Sequence, residues 1–287
     1  MTKYVIITPA RDEEKHIEHT ILSVVGQTVL PAQWIIVNDG SSDATGAIID
    51  RYAELHPWIT AWHRSNRGFR QAGGGVINAF NEGYAQIKSW DWDFIVKLDA
   101  DLGFASDYFE SCFGEFQKDG RLGIAGGGIY HLEKDSLKLE SGPVFHVRGA
   151  TKIYRRECWD RLGGLLPAPG WDTIDEVKAN MLGWSTRTLP DLKLLHYRFT
   201  GSADGAWRDS VKSGLANYIT GYHPLFMLVK CARHLTLKRH LVGSLGLSWG
   251  FLKGYYTHAP QVQDPTLIAY TRSQQLRRLL CLESIWR

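Results

Sequence analysis

Two aspartates follow an apolar run in the segment FIVKLDADLGF, residues 94–104. Alternate residues of a strand point to the same face, so Asp99 and Asp101 would place two carboxylates side by side. Like charges at that separation repel each other unless water or a cation lies between them. The spacing therefore leaves two readings open, a metal site or an acidic turn at the end of a buried strand.

The flanking sequence indicates the elements that would position this segment. Short β-rich apolar runs alternate with longer helical patterns, which is typical of βαβ units around a mostly parallel sheet. The sequence predicts strands over 4–10, 34–40, 59–64 and 93–100, with helices over 13–26, 43–56 and 72–89. The glycine-broken segments GIAGGGIYHL and VFHVRGATKIY then predict an antiparallel extension of the sheet. A short helix (RRECWDRLGG), a helix WDTIDEVKANMLGW and a strand over 185–197 follow.

The predicted strand ends are polar. In an open α/β sheet, ligands bind beyond the carboxyl ends of the strands, so these ends are expected to meet at one edge. The segments concerned are 9–13, 38–41, 64–70 and 99–101. Acidic groups close three of them, and such a rim suits a ligand with many hydroxyls and a metal-bound phosphate.

Composition is that of an ordinary globular protein, with 287 residues of which 44% are hydrophobic and 22% charged. Residues 200–287 hold 11 Lys or Arg against 4 Asp or Glu, so the basic charge lies in the C-terminal third. The four cysteines are widely separated, which argues against a zinc site or a disulfide framework and favours a reducing cytoplasm. The chain turns acidic too early for a secretory signal and has no run of 18 apolar residues. We expect a cytoplasmic protein.

Four segments in order resemble the family 2 glycosyltransferases, which have the nucleotide-sugar-binding, Rossmann-like GT-A fold. They are VIITPARDEE, IIVNDGSSDATGAII, the NRG and NEG of NRGFRQAGGGVINAFNEGY, and Asp99-Ala100-Asp101 in the place of the family's Asp-x-Asp metal motif. The resemblance covers residues 3–200. It implies a GT-A catalytic domain over 1–200, a basic helical extension over 201–287, and transfer of a sugar from a nucleotide donor to an acceptor hydroxyl with inversion.

The resemblance also implies a divalent cation, Mn²⁺ or Mg²⁺, since hard cations take carboxylate and phosphate oxygens. Asp101 would be the direct metal ligand, while Asp99 would face the ribose or the water shell of the metal. Some related enzymes complete the metal shell with a histidine at the position of His196. A purely structural role for His196 is an equally good interpretation.

The donor side chains implied by the resemblance lie at the other strand ends. Asp39 would accept a hydrogen bond from the nucleobase, and Asn38 departs from the family's usual first aspartate. Arg11 would stack on the base and Glu13 would bind the ribose region, although a solvated helix start explains both. Arg70 would neutralise phosphate or lie at the surface. The candidate substrate-binding residues of this edge are Pro9, Arg11, Glu13, Asp39, Asn66, Arg70 and Asp99.

An inverting transfer needs a base that deprotonates the acceptor hydroxyl. In the family this base is the aspartate of a Glu-Asp pair that opens a helix, and Gly183-Trp184 sets the register that places Trp171-Asp172 over that pair. The glutamate is missing, but Asp172 is retained. Trp171 and Trp207 are candidate sugar-stacking platforms, with core packing as the alternative.

Helical spacing supports this base. An apolar stripe for packing is formed by Ile174, Val177, Met181 and Trp184. Asp172 and Glu176 share the opposite face, and Asp175 lies nearer its edge as the second candidate base. If that face meets a cleft, the acids serve catalysis and substrate binding; if it meets water, they are a solvated helix start.

The C-terminal segments LFMLVKCARHLTLKRH and TRSQQLRRLLCLESIWR predict helices with apolar and basic sides. They would either contact an anionic membrane through 222–287, which would suit a glycan or lipid-linked acceptor, or pack on the catalytic domain. A UDP-sugar is the first expectation for the donor, by family frequency.

Two other function classes stay open. A nucleotidyltransferase has a related sheet but normally carries a glycine-rich phosphate loop after its first strand, and TPARDEE lacks glycine. A non-catalytic nucleotide-sugar-binding module is disfavoured because Asp101 and Asp172 are both present. A nucleic-acid binder is not indicated, because the basic residues are not interleaved with a recognised motif.

Overall fold

The computed structural model of the chain describes residues 2–66, 68, 74–133, 136–140, 142–198, 205–238 and 241–286. Its first part alternates strands and helices as predicted. The elements are β1 (Tyr4–Ala10), α1 (Ile17–Val25), β2 (Gln33–Asn38), α2 (Thr45–Leu55), β3 (Ile59–His63), α3 (Gly74–Tyr84) and β4 (Phe94–Leu98). Strand β1 pairs in parallel with β2 and β4, and β2 pairs in parallel with β3, so the predicted parallel sheet is confirmed.

The helix bounds differ from the predicted ones at two places. The helix predicted over 13–26 begins at Ile17, because residues 14–16 form a turn in which His16 N donates to Glu13 O at 2.9 Å. The helix predicted over 72–89 ends at Tyr84, after which Ile87 turns back into the core. Residues 72 and 73 lie outside the described part of the chain.

The central strands are buried on both faces, which explains their continuous apolar sequence. On one face, Ile6, Trp34 and Val96 belong to a core cluster that α1 and the helix Tyr108–Lys118 cover. On the other face, Ile7 and Ile35 belong to a second cluster, against α3 and the helix Arg156–Leu162. The core thus fixes the positions of the strand ends that carry the predicted site.

The second part of the chain extends the sheet. Its elements are β5 (Leu102–Phe104), α4 (Tyr108–Lys118), β6 (Leu122–Glu133), β7 (Ser136–Leu139), β8 (Thr151–Arg155), α5 (Arg156–Leu162), α6 (Trp171–Met181) and β9 (Ser185–His196). The strand order is β3-β2-β1-β4-β8-β6-β9-β5, with β7 paired to β6. Strand β8 is antiparallel to β4 and β6, as predicted, whereas β6 and β9 are parallel.

The prediction of a strand over VFHVRGATKIY is wrong for residues 144–150. Only Thr151–Arg155 is a strand, because the preceding backbone bonds to other partners: Val147 N donates to a carboxylate oxygen of Glu176 at 2.6 Å, and Val144 O accepts from Thr188 N at 2.9 Å. This loop is what brings the backbone of Gly149 beside the helix α6.

The described residues after β9 form four helices: α7 (Ala206–Ile219), α8 (Pro224–Lys238), α9 (Leu241–Tyr256) and α10 (Pro265–Leu279). They pack on α6, with Tyr218, Leu247 and Phe251 in one apolar cluster with Ile174 and Val177. In the described part of the chain, none of the helices combines the length and the hydropathy that a membrane crossing requires.

Candidate active site

The ends of β1 and β2 bring three of the predicted donor-binding residues together. Arg11 donates to the backbone oxygen of Asp39 at 2.9 Å and to Oδ1 of Asn66 at 3.0 Å. Gly40 lies directly against Asn66, because a Cβ atom added to Gly40 would lie 2.5 Å from the Cα atom of Asn66. The φ angle of Gly40, +70°, also favours glycine. The turn after β2 is therefore built around Asn66, whereas Pro9 lies within β1, opposite Val37 of β2.

The carboxylate of Asp39 is buried and holds an ion pair with Arg64, which also pairs with Glu82 at 2.8 Å. Arg64 fixes the orientation of this acid at the end of β2. In the sequence, Arg64 is only the first residue of the polar segment 64–70, and no local pattern predicts its ion pair with Asp39. The predicted phosphate ligand Arg70 lies outside the described residues.

Asp99 directly follows β4, and its carboxylate accepts a hydrogen bond from Lys97. The same ammonium group donates to the backbone oxygen of Gly149, and Asp99 N donates to Ala150 O at 2.8 Å. Burial raises the pKa of Asp99, against the opposing effect of Lys97. Lys97 is itself buried within an apolar strand. A lysine in such a strand indicates a buried charge that needs a partner, but the sequence does not identify that partner.

Asp101 faces His196, with 3.1 Å between Oδ2 and Nε2. The pairing of β5 with β9 sets this contact, because Leu102 lies opposite His196. Burial would raise the pKa of Asp101, but the hydrogen bond from His196 and the charges of His196 and Arg198 lower it below the ordinary value. Asp101 and His196 are thus neighbours, and their role as metal ligands stays a prediction.

Arg198 joins the two sides of this edge. Its guanidinium forms an ion pair with Glu13, and its Nε lies 3.7 Å from Oδ2 of Asp101. A polar cleft of ≈ 370 Å³ opens beside it, lined by Asp12, Glu14, Lys15, His16, Asp43 and Arg198. Arg198 was not identified from the sequence. Its position two residues after His196 was the available signal, because alternate residues of an extended chain point to the same side.

The N-terminal end of α6 approaches the acidic pair through Gly149. A Cβ atom at Gly149 would lie 2.9 Å from Cζ2 of Trp171 and 3.6 Å from Cβ of Asp172. Gly149 O accepts from Lys97, which also bonds to Asp99, so this glycine links the start of α6 to the acid after β4. Asp172 is partly exposed at the first turn of the helix, as a base that meets a substrate must be.

The other predicted residues of α6 are buried. Trp171 is 7% exposed, and the ammonium groups of Lys97 and Lys152 lie 5.4 and 5.3 Å from its ring centroid, which favours core packing over a sugar platform. Glu176 is fully buried and bonds to His146 at 2.8 Å and to the backbone of Val147. It therefore faces the protein interior and not the side on which Asp172 is exposed.

Asp175 is tied into the same buried cluster. It accepts hydrogen bonds from Lys152 at 2.8 Å and from the Tyr154 hydroxyl at 2.5 Å, and burial raises its pKa to about 7. Lys152 also donates to the backbone oxygen of Asp172 at 2.5 Å. Of the two candidate bases, Asp172 has the accessible carboxylate and Asp175 has a role in holding the helix.

A divalent cation fits the residues around Asp101. The described residues present no group of three or more His, Cys, Asp or Glu that could hold a metal ion. Asp101 and His196 nevertheless offer a carboxylate oxygen and an imidazole nitrogen that face each other, and the buried Nδ1 of His196 has no hydrogen-bond partner among the described residues. Two protein ligands of this kind suit a cation whose shell is completed by substrate phosphates.

The mixed sheet, with an acidic pair after its fourth strand and an acidic helix start near it, has the arrangement that the resemblance to GT-A proteins implies. Residues 5–164 match the sequence profile described as Glycosyl transferase family 2. Since this match spans more than half of the 287 residues, the chain belongs to glycosyltransferase family 2.

Known proteins resemble the chain in part or in fold. The poly-beta-1,6-N-acetyl-D-glucosamine synthase of Staphylococcus aureus is 31% identical over 126 residues, which are 44% of this chain and 28% of that protein. The chain thus spans about a third or less of the length of the curated relatives that it matches first.

Two solved structures share the fold. A mannosyltransferase from Pyrobaculum calidifontis, in complex with GDP-Man and Mn²⁺, has a TM-score of 0.58 at 18% identity, covering 98% of this chain and 88% of that one. TarS of S. aureus, residues 1–349 in complex with UDP-GlcNAc, has a TM-score of 0.55 at 14% identity, covering 96% and 81%. At such identities the likeness shows the fold alone, which is the GT-A fold that the sequence predicts.

Proposed function

We propose that this chain transfers a sugar from a nucleotide-sugar donor to an acceptor hydroxyl with inversion, in a reaction that needs a divalent cation. The observation that carries the proposal is that Gly149 lies beside Asp172 and accepts a hydrogen bond from Lys97, which also bonds to Asp99 after β4. Such an arrangement would bring a base near a site for a charged leaving group. Polysaccharide or glycolipid synthesis is the process that we infer, with residues 1–200 as the catalytic domain.

On the donor side, Arg11, Asp39 and Asn66 would hold the nucleoside at the ends of β1 and β2. Asp101 and His196 would hold Mn²⁺ or Mg²⁺, with Asp99 toward the ribose or the water shell. When bound, the cation would stabilise the negative charge that develops on the diphosphate. A UDP-sugar is our first choice of donor, in line with the UDP-GlcNAc bound by the TarS structure of the same fold.

On the acceptor side, Asp172 would accept the proton of the attacking hydroxyl. The bond between the acceptor oxygen and the anomeric carbon forms as the bond from that carbon to the diphosphate oxygen breaks, and the electron pair leaves with the diphosphate. Attack from the face opposite the leaving group inverts the anomeric centre. Lys152 would keep the helix start in place, through its hydrogen bond to the backbone of Asp172.

Two substitutions test the two sides separately. Thermal unfolding with a panel of nucleotide sugars, with and without Mn²⁺, should identify a donor, because a ligand that binds only the folded chain raises its stability. Asp101→Ala should abolish the Mn²⁺-dependent part of that shift. Asp172→Asn should keep the shift but lose sugar transfer, measured as release of the nucleoside diphosphate.

The exposed Asp160 provides the matched control, since Asp160→Ala and Asp160→Asn remove a surface acid on α5. Both should behave like the unmodified chain. A normal Mn²⁺-dependent shift in Asp101→Ala would contradict the metal role, and undiminished transfer in Asp172→Asn would move the base elsewhere. Release of pyrophosphate from a nucleoside triphosphate in the presence of a sugar 1-phosphate, with no nucleoside diphosphate released from nucleotide sugars, would favour a nucleotidyltransferase.

A further inference from the structure

The helix α9 has an apolar face turned away from the protein. At 100° per residue, its exposed side chains fall on one stripe, and each of them is more than half exposed: Leu241, Val242, Leu245, Trp249, Leu252 and Tyr256. The sequence of α9 contains no Asp, Glu, Asn, Gln or Arg, and Lys253 borders the stripe. A water-facing helix in a globular protein normally has polar side chains in these positions.

The opposite face of α9 fixes this orientation. Gly246, Gly250 and Gly254 lie against α7, and a Cβ atom at Gly250 would lie 2.0 Å from the backbone oxygen of Val211. Rotation of α9 about its axis would replace these glycines by larger side chains that the contact with α7 cannot accommodate. The apolar stripe therefore stays outward in the folded chain.

The neighbouring helix α8 widens the apolar surface. Ser244 of α9 donates to the backbone oxygen of Cys231 at 3.1 Å, so the two helices are in contact. Along α8, exposed apolar side chains recur at helical spacing, at Leu225, Leu228, Val229 and Leu235. Large apolar patches on a soluble chain mark a surface that is covered by a partner. We refer to these exposed side chains of α8 and α9 as the α8–α9 surface.

The charge around the α8–α9 surface indicates which partner covers it. Residues 210–263 contain six Lys or Arg and no Asp or Glu. Of these, Lys212 on α7, Arg233 on α8 and Lys253 on α9 are exposed. A second copy of the chain would bring this net positive charge of the segment against itself. A negatively charged bilayer instead matches both properties, since basic residues are attracted to anionic headgroups and apolar side chains, with Trp and Tyr, enter the interface.

We propose that the α8–α9 surface binds the surface of an anionic lipid bilayer, with α9 lying parallel to the plane of the membrane. Leu245, Trp249 and Leu252 enter the headgroup region, and Lys253 and Arg233 remain at the level of the lipid charges. The proposal concerns attachment and is independent of the sugar transfer proposed above, so either can fail while the other holds.

The test is flotation of the full chain with vesicles of equimolar phosphatidylglycerol and phosphatidylcholine, compared with vesicles of phosphatidylcholine alone. The chain should float with the anionic vesicles, and salt should release it. Leu245→Ser/Leu252→Ser should lower the partition coefficient on the order of tenfold or more, because two apolar side chains no longer enter the lipid. Lys253→Glu should also lower it.

Two controls are matched to these variants. Leu22→Ser/Leu55→Ser changes two leucines of similar exposure on α1 and α2, and Lys118→Glu reverses an exposed charge on α4. Both should bind vesicles like the unmodified chain. Failure to float with anionic vesicles, or equal loss in the control variants, would overturn the proposal. So would a dimer in sedimentation that Leu245→Ser/Leu252→Ser converts to a monomer, since a second copy would then be the partner.

Discussion

Lys97 and Lys152 lie directly opposite each other on the antiparallel strands β4 and β8, and both ammonium groups contact the ring of Trp171. Two buried cations at neighbouring positions are tolerated because each has its own acidic partners. Lys97 bonds to Asp99, and Lys152 bonds to Asp175 and Glu176. The lysine pair thus links the acid after β4 to the helix that carries Asp172.

The Lys97 half of this pair can be tested by Lys97→Met. The substitution keeps the apolar stem but leaves the partly buried carboxylate of Asp99 without its ion pair, so we expect a loss of about 1–3 kcal/mol in the free energy of unfolding. Donor affinity should fall as well, because Asp99 loses its orientation. Urea denaturation and a donor titration measure the two effects.

Lys3→Met is the control for this variant, because Lys3 forms an exposed ion pair with Asp91. Its effect on stability should be small, because an ion pair between exposed side chains is screened by solvent. Equal stabilities of Lys97→Met and the unmodified chain would contradict a structural role of the buried lysine.

The Lys152 half is fully buried, and its removal should be more damaging. Lys152→Met would leave Asp175 and Glu176 uncompensated, with an expected loss of about 3–5 kcal/mol. Adding Asp175→Asn should recover part of that loss, because the two residues interact directly. A double-mutant cycle from urea denaturation measures the interaction, and strictly additive effects would show that the pair is not coupled.

Stability should depend on pH through His146. Burial lowers the pKa of His146, but the Glu176 carboxylate outweighs it and raises the pKa above its ordinary value. The folded state then holds a proton that the unfolded state releases, so the contribution is complete below about pH 6.5 and is lost as the pH rises through the folded-state pKa. The difference in unfolding free energy between the chain and His146→Gln should therefore shrink with rising pH above that value.

The exposed His258 serves as the control for this measurement. His258→Gln should show a stability difference that does not follow the same course. A difference for His146→Gln that grows with pH would reverse the sign and rule out a protonated histidine beside Glu176.

Gly149→Ala tests whether the loop sets the distance between the two sides of the site. The new methyl group would lie 2.9 Å from Trp171, so the start of α6 must shift. Displacement of a catalytic group by about 1 Å lowers turnover on the order of a hundredfold, while donor affinity should change little. Gly114→Ala on α4, where a Cβ atom meets nothing within 4 Å, is the control and should keep full turnover.

The first four strands could be predicted because they are short apolar runs closed by polar ends, and the rule for ligand binding at strand ends then brought Arg11, Asp39 and Asn66 together. The burial of Glu176 could not be predicted in this way. Helical spacing identifies one apolar stripe, but α6 is covered twice, by the sheet and loop 145–150 on one side and by the C-terminal helices on another. A charged residue on such a helix can be buried opposite the stripe.

Lys97 shows a second limit of the sequence. A lysine inside an apolar strand signals a buried charge, but its partner oxygen on Gly149 and the ring of Trp171 are more than 50 residues away along the chain. Only the antiparallel addition of β8 to β4 brings them together, and that pairing depends on a loop whose backbone bonds to Glu176. The role of Lys97 therefore depends on tertiary contacts that no local sequence pattern predicts.

The packing of the C-terminal helices on Ile174 and Val177 has a consequence for how the chain can be divided. A fragment that ends near residue 200 would keep the parallel strands and their polar ends, yet it would uncover one flank of α6. Such a truncated chain should still recognise a nucleotide, whereas Asp172, the base that we propose, should lose its fixed position. On this view the C-terminal helices hold the proposed base in place, and their removal should abolish sugar transfer before it abolishes donor binding.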